Sequence, residues 1–178
     1  PADITVIEGV MGYYDGMDAT SCRQSTWEMA QLTQTPALLV VDASGSAASA
    51  AATVKGFMTL KAESGIAGVL VNRVSGTHHY ELVRDAVAHY TGLPCVGYIE
   101  KNVNLALKSR HLGLVPAEEV EDALPRIREA ARQTADTLDL PMILDLAKRA
   151  PVLPVAPRKY PRMDGFRMGL ARDKAFSF

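Results

Sequence analysis

The sequence lacks the features that would assign it to a membrane, secreted or nucleic-acid-binding class. Its 178 residues contain no apolar run near 18 residues and no signal-peptide pattern, so we expect a soluble, cytoplasmic protein. The formal net charge is −1, which predicts no basic surface for nucleic acid or an anionic membrane. This length is enough to bury one hydrophobic core, so one domain with additional segments is expected.

Cysteine is also scarce. Cys22 and Cys95 lie far apart, and neither belongs to a CxxC or Cys/His spacing. The sequence therefore predicts two free thiols in a reducing compartment, with no structural zinc site and no nucleophilic cysteine. His78 and His79 are adjacent on a predicted helix and point about 100° apart, which is poor geometry for one metal, so both are interpreted as surface residues.

A further absence concerns phosphate binding. The chain has no Gly-x-x-x-x-Gly-Lys-Ser/Thr loop and cannot hold a nucleotide triphosphate by that device. It begins at Pro1, close to an apolar run, and residues 169–178 resemble the beginning of a further strand. We therefore expect an excised piece of a longer protein.

What the sequence does contain is an alternation of apolar runs and helical patterns. The runs Ile4–Ile7, Ala37–Val41, Ile66–Val71, Cys95–Ile99 and Leu112–Val115 are predicted strands, and continuous apolarity is typical of parallel strands covered on both faces. Between them, helices are predicted after Ser25, within the alanine-rich segment that ends by Gly65, and over 77–90. The pattern predicts an α/β fold with a doubly wound, mostly parallel sheet and ligands at the carboxyl ends of the strands.

The C-terminal third is less regular. A helical pattern covers 116–138, with Pro125 as a candidate break and Ile127 facing inward. Asp139 is a predicted cap for a short helix over 142–148. Four prolines between positions 151 and 161 then predict an extended interdomain linker.

The opening segment, Ile4–Gly16, carries two acids within a glycine-rich loop. Glu8 ends an apolar run, and a carboxylate at a strand end is a typical ligand for Mg²⁺. Asp15 precedes Gly16, and spacing alone favours an Asp-Gly turn at this position over a functional role. Spacing alone leaves open whether Glu8 binds a metal or caps a turn.

Three further positions are candidates with structural alternatives. Asp42 ends a predicted strand, and it either binds a ligand or caps the next helix. Asn72 and Arg73 offer an amide that can pair with a base edge beside a cation, or they form a solvated loop. The segment Ser109–His111 could bind an anion or take part in acid/base chemistry, or it is only a loop before a strand.

Five blocks of sequence, in the same order along the chain, resemble the cobyrinic acid a,c-diamide synthase family. The blocks are Val6–Gly16, Val40–Gly45, Val54–Phe57, Val71–Val74 and Ser109–Pro116. The resemblance implies a P-loop fold similar to dethiobiotin synthetase, here without its P-loop strand and helix. It also implies that 1–149 belong to an ATP-dependent synthetase domain, 150–162 to a linker, and 163–178 to the beginning of a class I glutamine amidotransferase domain.

The same resemblance implies an activity and roles for residues. Members use ATP, Mg²⁺ and glutamine to amidate the a and c carboxylates of cobyrinic or hydrogenobyrinic acid. Glu8 matches a glutamate at the Mg-ATP centre, and Asp15 matches an aspartate beside the corrin carboxylate. Asn72, with Arg73, matches a nucleotide-reading position, and Tyr13 and Tyr14 fall at the corrin side of the loop.

The resemblance also sets limits and leaves rivals open. Tyr13 replaces a leucine-like residue of the family pattern, and the role of Ser109, Arg110 and His111 is not implied. The expected partners are a corrinoid and glutamine, with no nucleic acid and no membrane, and a homodimer is an open possibility. The alternatives are a nickel-sirohydrochlorin a,c-diamide synthase and a non-catalytic MinD-like nucleotide-binding module. The chain by itself is expected to be inactive.

Overall fold

A computed structural model describes residues 3–101, 109–110, 113–114, 123–153, 165, 167 and 169–171. The helices in this part of the chain are α1 (Thr26–Thr33), α2 (Ala48–Leu60), α3 (Thr77–Thr91), α4 (Ala123–Thr134) and α5 (Leu140–Ala147). The strands are β1 (Ala37–Asp42), β2 (Ile66–Val74), β3 (Cys95–Glu100), β4 (Ser109–Arg110) and β5 (Gly113–Leu114). The expected α/β class is confirmed.

A three-stranded parallel sheet in the order β1-β2-β3 forms the centre of the fold. Helix α2 connects β1 to β2 and α3 connects β2 to β3, as parallel pairing requires. In the register, Asp42 lies beside Asn72, and Asn72 lies beside Ile99. The carboxyl ends of the strands are therefore aligned at one edge of the sheet.

The core lies between this sheet and helices α2 and α3. Val69 and Val71 of β2 have no exposed surface and belong to one cluster with Ala51 and Val54 of α2. Burying one such valine side chain contributes roughly 1.5 kcal/mol or more. Ala50 and Ala51 of α2 are buried in the same cluster. The sequence pattern places Leu60 with Val54 on the more apolar face of α2, but Leu60 is 64% exposed and does not belong to the core.

The outer edge of β3 is occupied by the segment between α4 and α5. Gly97 forms an antiparallel bridge with Leu138, and the amide of Tyr98 donates to the carbonyl of Thr137 at 3.1 Å. Gly97 has φ +130°, and a Cβ there would lie 2.8 Å from the Cα of Leu138. Only glycine allows the two backbones to approach this closely.

Helix caps explain why two of the helices begin where they do. The hydroxyl of Ser25 accepts a hydrogen bond from the amide of Glu28 at 3.2 Å, and the Glu28 carboxylate accepts one from the amide of Gln24 at 2.6 Å. Asp139 accepts a hydrogen bond from the amide of Met142 at 2.9 Å and caps α5. Both caps are predicted correctly from the sequence.

Other expectations differ from the structure. Residues 4–9 are irregular and pair with none of the described strands, and Val6 is 91% exposed. An apolar run becomes a strand only when a neighbouring backbone takes up its hydrogen bonds, and none of the described residues does so here. Pro125 lies within α4 without ending it, and Ile127 is 56% exposed instead of buried.

The remaining C-terminal expectations fall largely outside the described residues. Gly113–Leu114 forms a strand, but it pairs antiparallel with Ser109–Arg110 in a separate two-stranded sheet. Of the predicted linker, only residues 150–153 are described, and residues 169–171 are irregular. In the described part of the chain, no helix has the length and apolarity needed to cross a bilayer.

Candidate functional site

The carboxyl edge of the sheet brings Asp42 of β1 and Arg73 of β2 together. Oδ1 of Asp42 accepts a hydrogen bond from the amide of Ser44 at 2.9 Å, and Nη1 of Arg73 lies 3.1 Å from Asp42 Oδ2. Hydrogen bonds from Ser44, more than the nearby charge of Arg73, lower the pKa of Asp42. Both side chains are more than half exposed, so water and salt screen the ion pair and its contribution to stability is small.

Asp42 therefore does not cap α2, which was one of its two interpretations. Its side chain closes a turn with Ser44, and the cap position of α2 is Ala47, which makes no side-chain hydrogen bond. A deprotonated carboxylate at this edge repels phosphate oxygens but partly neutralises Arg73, so the pair controls the local charge at the strand ends.

Asn72 is held in a defined orientation beside this pair. Its Oδ1 accepts a hydrogen bond from the amide of Arg73 at 2.9 Å, and its backbone carbonyl accepts one from Ala43 at 2.9 Å. The amide nitrogen of Asn72 has no hydrogen-bond partner among the described residues, and the side chain is half-buried. It can therefore donate to a ligand while the oxygen keeps one lone pair free.

The backbone at Arg73 is unusual. Its φ is +59°, in the left-handed region that L-residues other than Asn and Asp rarely adopt. Such conformations cost of order 1 kcal/mol and occur often at functional sites. At this residue the backbone amide donates to the Asn72 side chain and the guanidinium donates to Asp42.

A second group of predicted residues lies in the opening loop, Ile4–Gly16. The amide of Asp15 donates to the carbonyl of Gly12 at 2.9 Å, and Asp15 Oδ2 accepts from the Gly12 amide at 3.1 Å. Asp15 thus uses one carboxylate oxygen to close its own turn, and Oδ1 makes no hydrogen bond with a described residue. Glu8 is exposed, and its carboxylate has no partner within the part of the chain that the structure describes.

Tyr13 and Tyr14 attach this loop to the domain. The Tyr13 hydroxyl donates to the carbonyl of Ser64 at 2.6 Å, and the Tyr14 hydroxyl donates to that of Phe57 at 2.5 Å. The Tyr14 ring stacks on Phe57 with centroids 5.9 Å apart, and it is 9% exposed. Burial, with a smaller repulsion from Tyr14, raises the pKa of Tyr13 to about 12, so both hydroxyls stay protonated at neutral pH.

The two groups are anchored at opposite ends of the sheet. Ser64, which accepts the Tyr13 hydrogen bond, lies two residues before β2 begins, whereas Asn72 lies near the end of β2. Six residues of strand separate these ends by roughly 20 Å. The structure brings Asp42, Asn72 and Arg73 together but does not bring the Tyr13 hydroxyl to them.

The described residues include single carboxylates that could bind a metal ion but no larger group of ligands. Among the described residues, no group of three or more His, Cys, Asp or Glu side chains could hold a metal ion. Mg²⁺ needs only one or two protein carboxylates when water and phosphate supply its other ligands. Glu8 therefore fits a magnesium site, whereas the described residues do not form a zinc-type site.

The predicted segment Ser109–His111 is described only in part. Ser109 and Arg110 are described only as backbone in β4, and His111 lies outside the described residues.

The two cysteines and His79 are the remaining candidate reactive residues. Cys22 and Cys95 are free, and burial raises the pKa of Cys95 to about 11, so its thiol is protonated and a poor nucleophile. His79, interpreted from the sequence as a surface residue, is half-buried with both ring nitrogens hydrogen-bonded. The amino-acid sequence gives no signal that His79 makes these two hydrogen bonds, apart from its position in the first turn of a helix at the carboxyl edge.

Comparison with known proteins gives a consistent result along the chain. It is 41% identical over 99% of its length to a cobyrinate a,c-diamide synthase from Listeria monocytogenes, and it spans 40% of that relative. It is 42% identical to the Thermoplasma acidophilum protein of the same name and 38% identical to that of Priestia megaterium, spanning 39% of each. No protein-family model matches the chain. No solved structure matches it either.

Proposed function

We propose that the chain, which belongs to the cobyrinate a,c-diamide synthase family over 99% of its length, forms part of an ATP- and glutamine-dependent amidating enzyme of cobalamin biosynthesis. The observation that carries this proposal is the match of about 40% identity across nearly the whole chain, including both the opening loop and the carboxyl edge. Because the chain spans about 40% of the relatives' length, the activity belongs to the longer protein.

The proposed reaction converts a carboxylate of the corrin into an amide. The terminal phosphoryl group of ATP is transferred to a carboxylate oxygen, and the product is ADP and an acyl phosphate. Ammonia from glutamine then attacks the carbonyl carbon, phosphate leaves, and the nitrogen loses a proton. Since carboxylate and phosphate are both anionic, Mg²⁺ supplies charge neutralisation when it is bound.

Glu8 and Asn72 are assigned to the nucleotide. The free, exposed carboxylate of Glu8 is available to a hard cation, which we propose is the Mg²⁺ of Mg-ATP. Asn72 presents an unused amide N–H₂ at the carboxyl edge of the sheet, where α/β folds bind ligands, and Arg73 lies beside it. Asp42 limits the net positive charge of this edge through its pair with Arg73.

Asp15, Tyr13 and Tyr14 are assigned to the corrin side. The hydrogen bonds of the two tyrosines fix the loop that carries Asp15, while the free Oδ1 of Asp15 remains available to a polar edge of the macrocycle. The tyrosines act mainly by positioning this loop, because their hydroxyls are already bonded to backbone carbonyls.

The domain assignment follows from the same family membership. Residues 1–149 are proposed to lie in the synthetase domain, with the doubly wound, P-loop-type arrangement of its sheet, residues 150–162 in a linker and residues 163–178 in a glutamine amidotransferase domain. The 178-residue chain contains no phosphate-binding Gly-rich loop of the Walker type. We therefore expect the isolated chain to show neither ATP hydrolysis nor amidation.

The test is an acceptor panel with the full-length protein, ATP, Mg²⁺ and glutamine. The acceptors are cobyrinic acid, hydrogenobyrinic acid and nickel sirohydrochlorin, and the products are followed by mass spectrometry. Amidation of either corrin acid at two carboxylates supports the proposal and shows whether the substrate carries cobalt. Amidation of nickel sirohydrochlorin alone, or of no acceptor, would contradict it.

A further inference from the structure

His79 connects two loops at the carboxyl edge of the sheet. Its Nε2 lies 2.6 Å from the backbone carbonyl of Ser46, in the loop between β1 and α2. Its Nδ1 lies 3.1 Å from the backbone amide and 3.2 Å from the hydroxyl of Ser75, in the connection between β2 and α3. The ring, which is carried by the first turn of α3, therefore holds the two loops at a fixed separation.

The partners determine which tautomer the ring adopts. The Ser75 hydroxyl can donate or accept and fits either state of Nδ1, whereas the Ser75 backbone amide can only donate. The Nδ1 that faces this amide must therefore be unprotonated and accept. A backbone carbonyl can only accept, so the Nε2 that faces Ser46 must carry the proton. Both hydrogen bonds are satisfied only by the neutral ring with hydrogen on Nε2.

The position of this contact bears on the proposed nucleotide site. Ser75 follows Arg73 by two residues, and Ser46 follows Asp42 by four, so the ring fixes the segments that carry the Asp42–Arg73 pair and Asn72. The ion pair is exposed and weakly orienting, whereas the His79 side chain is half-buried and bonded at both nitrogens. The rigidity of this edge therefore depends more on His79 than on the ion pair.

We propose that His79 is a positioning residue that holds the β1–α2 loop and the end of β2 at a fixed separation. In this way Asn72 and Arg73 keep the orientation needed to bind the nucleotide. The part that concerns binding rests on the function proposed above. The part that concerns the loops does not, and it can be measured without any activity.

Three substitutions separate the two hydrogen bonds. His79→Phe keeps an aromatic ring and removes both bonds. In His79→Asn the amide oxygen is separated from Cβ by the same number of covalent bonds as Nδ1 of histidine, so it retains the hydrogen bond from the Ser75 amide. In His79→Gln the amide nitrogen is separated from Cβ by the same number of covalent bonds as Nε2 of histidine, so it retains the hydrogen bond to the Ser46 carbonyl. His78→Phe is the matched control, because the side chain of His78, the neighbour of His79 in the sequence, is 85% exposed.

The first measurement is NMR of the full-length protein, with ¹⁵N-labelled histidine and serine. Long-range ¹⁵N–¹H correlation of the His79 ring should show a protonated Nε2 and an unprotonated Nδ1. Hydrogen exchange at the Ser75 amide should accelerate roughly two- to tenfold in His79→Phe and His79→Gln, and little in His79→Asn or His78→Phe. The opposite tautomer, or an unchanged exchange rate in His79→Phe, overturns the proposal.

The second measurement is steady-state kinetics of the full-length enzyme. His79→Phe should raise the KM for ATP several-fold with a smaller change in kcat, and His78→Phe should change neither. An unaltered KM for ATP in an active His79→Phe enzyme overturns the role in nucleotide positioning. If the wild-type enzyme amidates no corrin, the proposed function fails, and the NMR results still decide whether His79 orders the two loops.

Discussion

Gly97→Ala should strongly destabilise the domain, and the structure permits an estimate of the effect. The φ of +130° lies in a region that is essentially restricted to glycine, and adopting it costs an alanine about 1–3 kcal/mol. The added Cβ would also meet the carbonyl oxygen of Thr137 and lie 2.8 Å from the Cα of Leu138. Both of these are backbone atoms that cannot rotate away.

Relief of that overlap requires residues 137–139 to move away from β3. Three hydrogen bonds connect them to the strand: Tyr98 N to Thr137 O at 3.1 Å, Asp139 N to Val96 O at 2.8 Å, and Thr137 Oγ1 to Tyr98 O at 2.7 Å. Each is worth about 1 kcal/mol, so losing two or three adds about 2–3 kcal/mol. The total of about 3–6 kcal/mol is a large part of the stability of a typical domain.

Gly92→Ala is the matched control for this prediction. Gly92 also has a positive φ, +73°, but a Cβ there meets nothing within 4 Å. It should cost only the left-handed strain of about 1–2 kcal/mol. Urea-induced unfolding followed by circular dichroism measures both variants, and equal losses of unfolding free energy would refute the close-approach explanation.

Three further predictions concern the opening loop. Tyr14→Phe should lower the free energy of unfolding by about 1 kcal/mol, because it removes the hydrogen bond to Phe57 and keeps the ring stacking, and urea titration measures the loss. Burial raises the pKa of Tyr13 from 10.0 to about 12. The contribution of the protonated Tyr13 hydroxyl to stability is therefore fully present below pH 10 and is lost as the pH rises towards 12. Ultraviolet titration of the wild type and of Tyr13→Phe should differ by one phenol of high pKa, and the absence of that phenol would contradict the prediction. Asp15→Ala in the full-length enzyme should alter which carboxylate is amidated, or how far the reaction proceeds, and a normal product profile by mass spectrometry would argue against the assignment.

The regular elements could be predicted because their signals are local. Strands β1, β2 and β3 coincide with continuous apolar runs, and the caps at Ser25 and Asp139 depend on residues within four positions of each other. Parallel topology also places the ends of β1 and β2 at the same edge of the sheet, and the register there puts Asp42 beside Asn72. These features need no knowledge of distant contacts.

The features that could not be predicted depend on distant partners. The hydrogen bonds of Tyr13 and Tyr14 reach 51 and 43 residues along the chain, and those of His79 reach 33 residues to Ser46. Apolar residues 4–7 give a strand pattern, yet pairing depends on a neighbouring strand that the pattern does not specify. The exposure of Leu60 shows the same limit for helix faces, because helical spacing does not identify which element covers the face.

The most direct test of the central claim is amidation of cobyrinic acid by the full-length protein, with Glu8→Gln measured beside the wild type at saturating Mg²⁺. The wild-type enzyme should form the diamide only when ATP and glutamine are both present. The Glu8→Gln enzyme should retain its fold by circular dichroism and lose most of its turnover, because it lacks the carboxylate proposed to bind Mg²⁺. A diamide formed without ATP, or an unchanged rate in Glu8→Gln, would contradict the account.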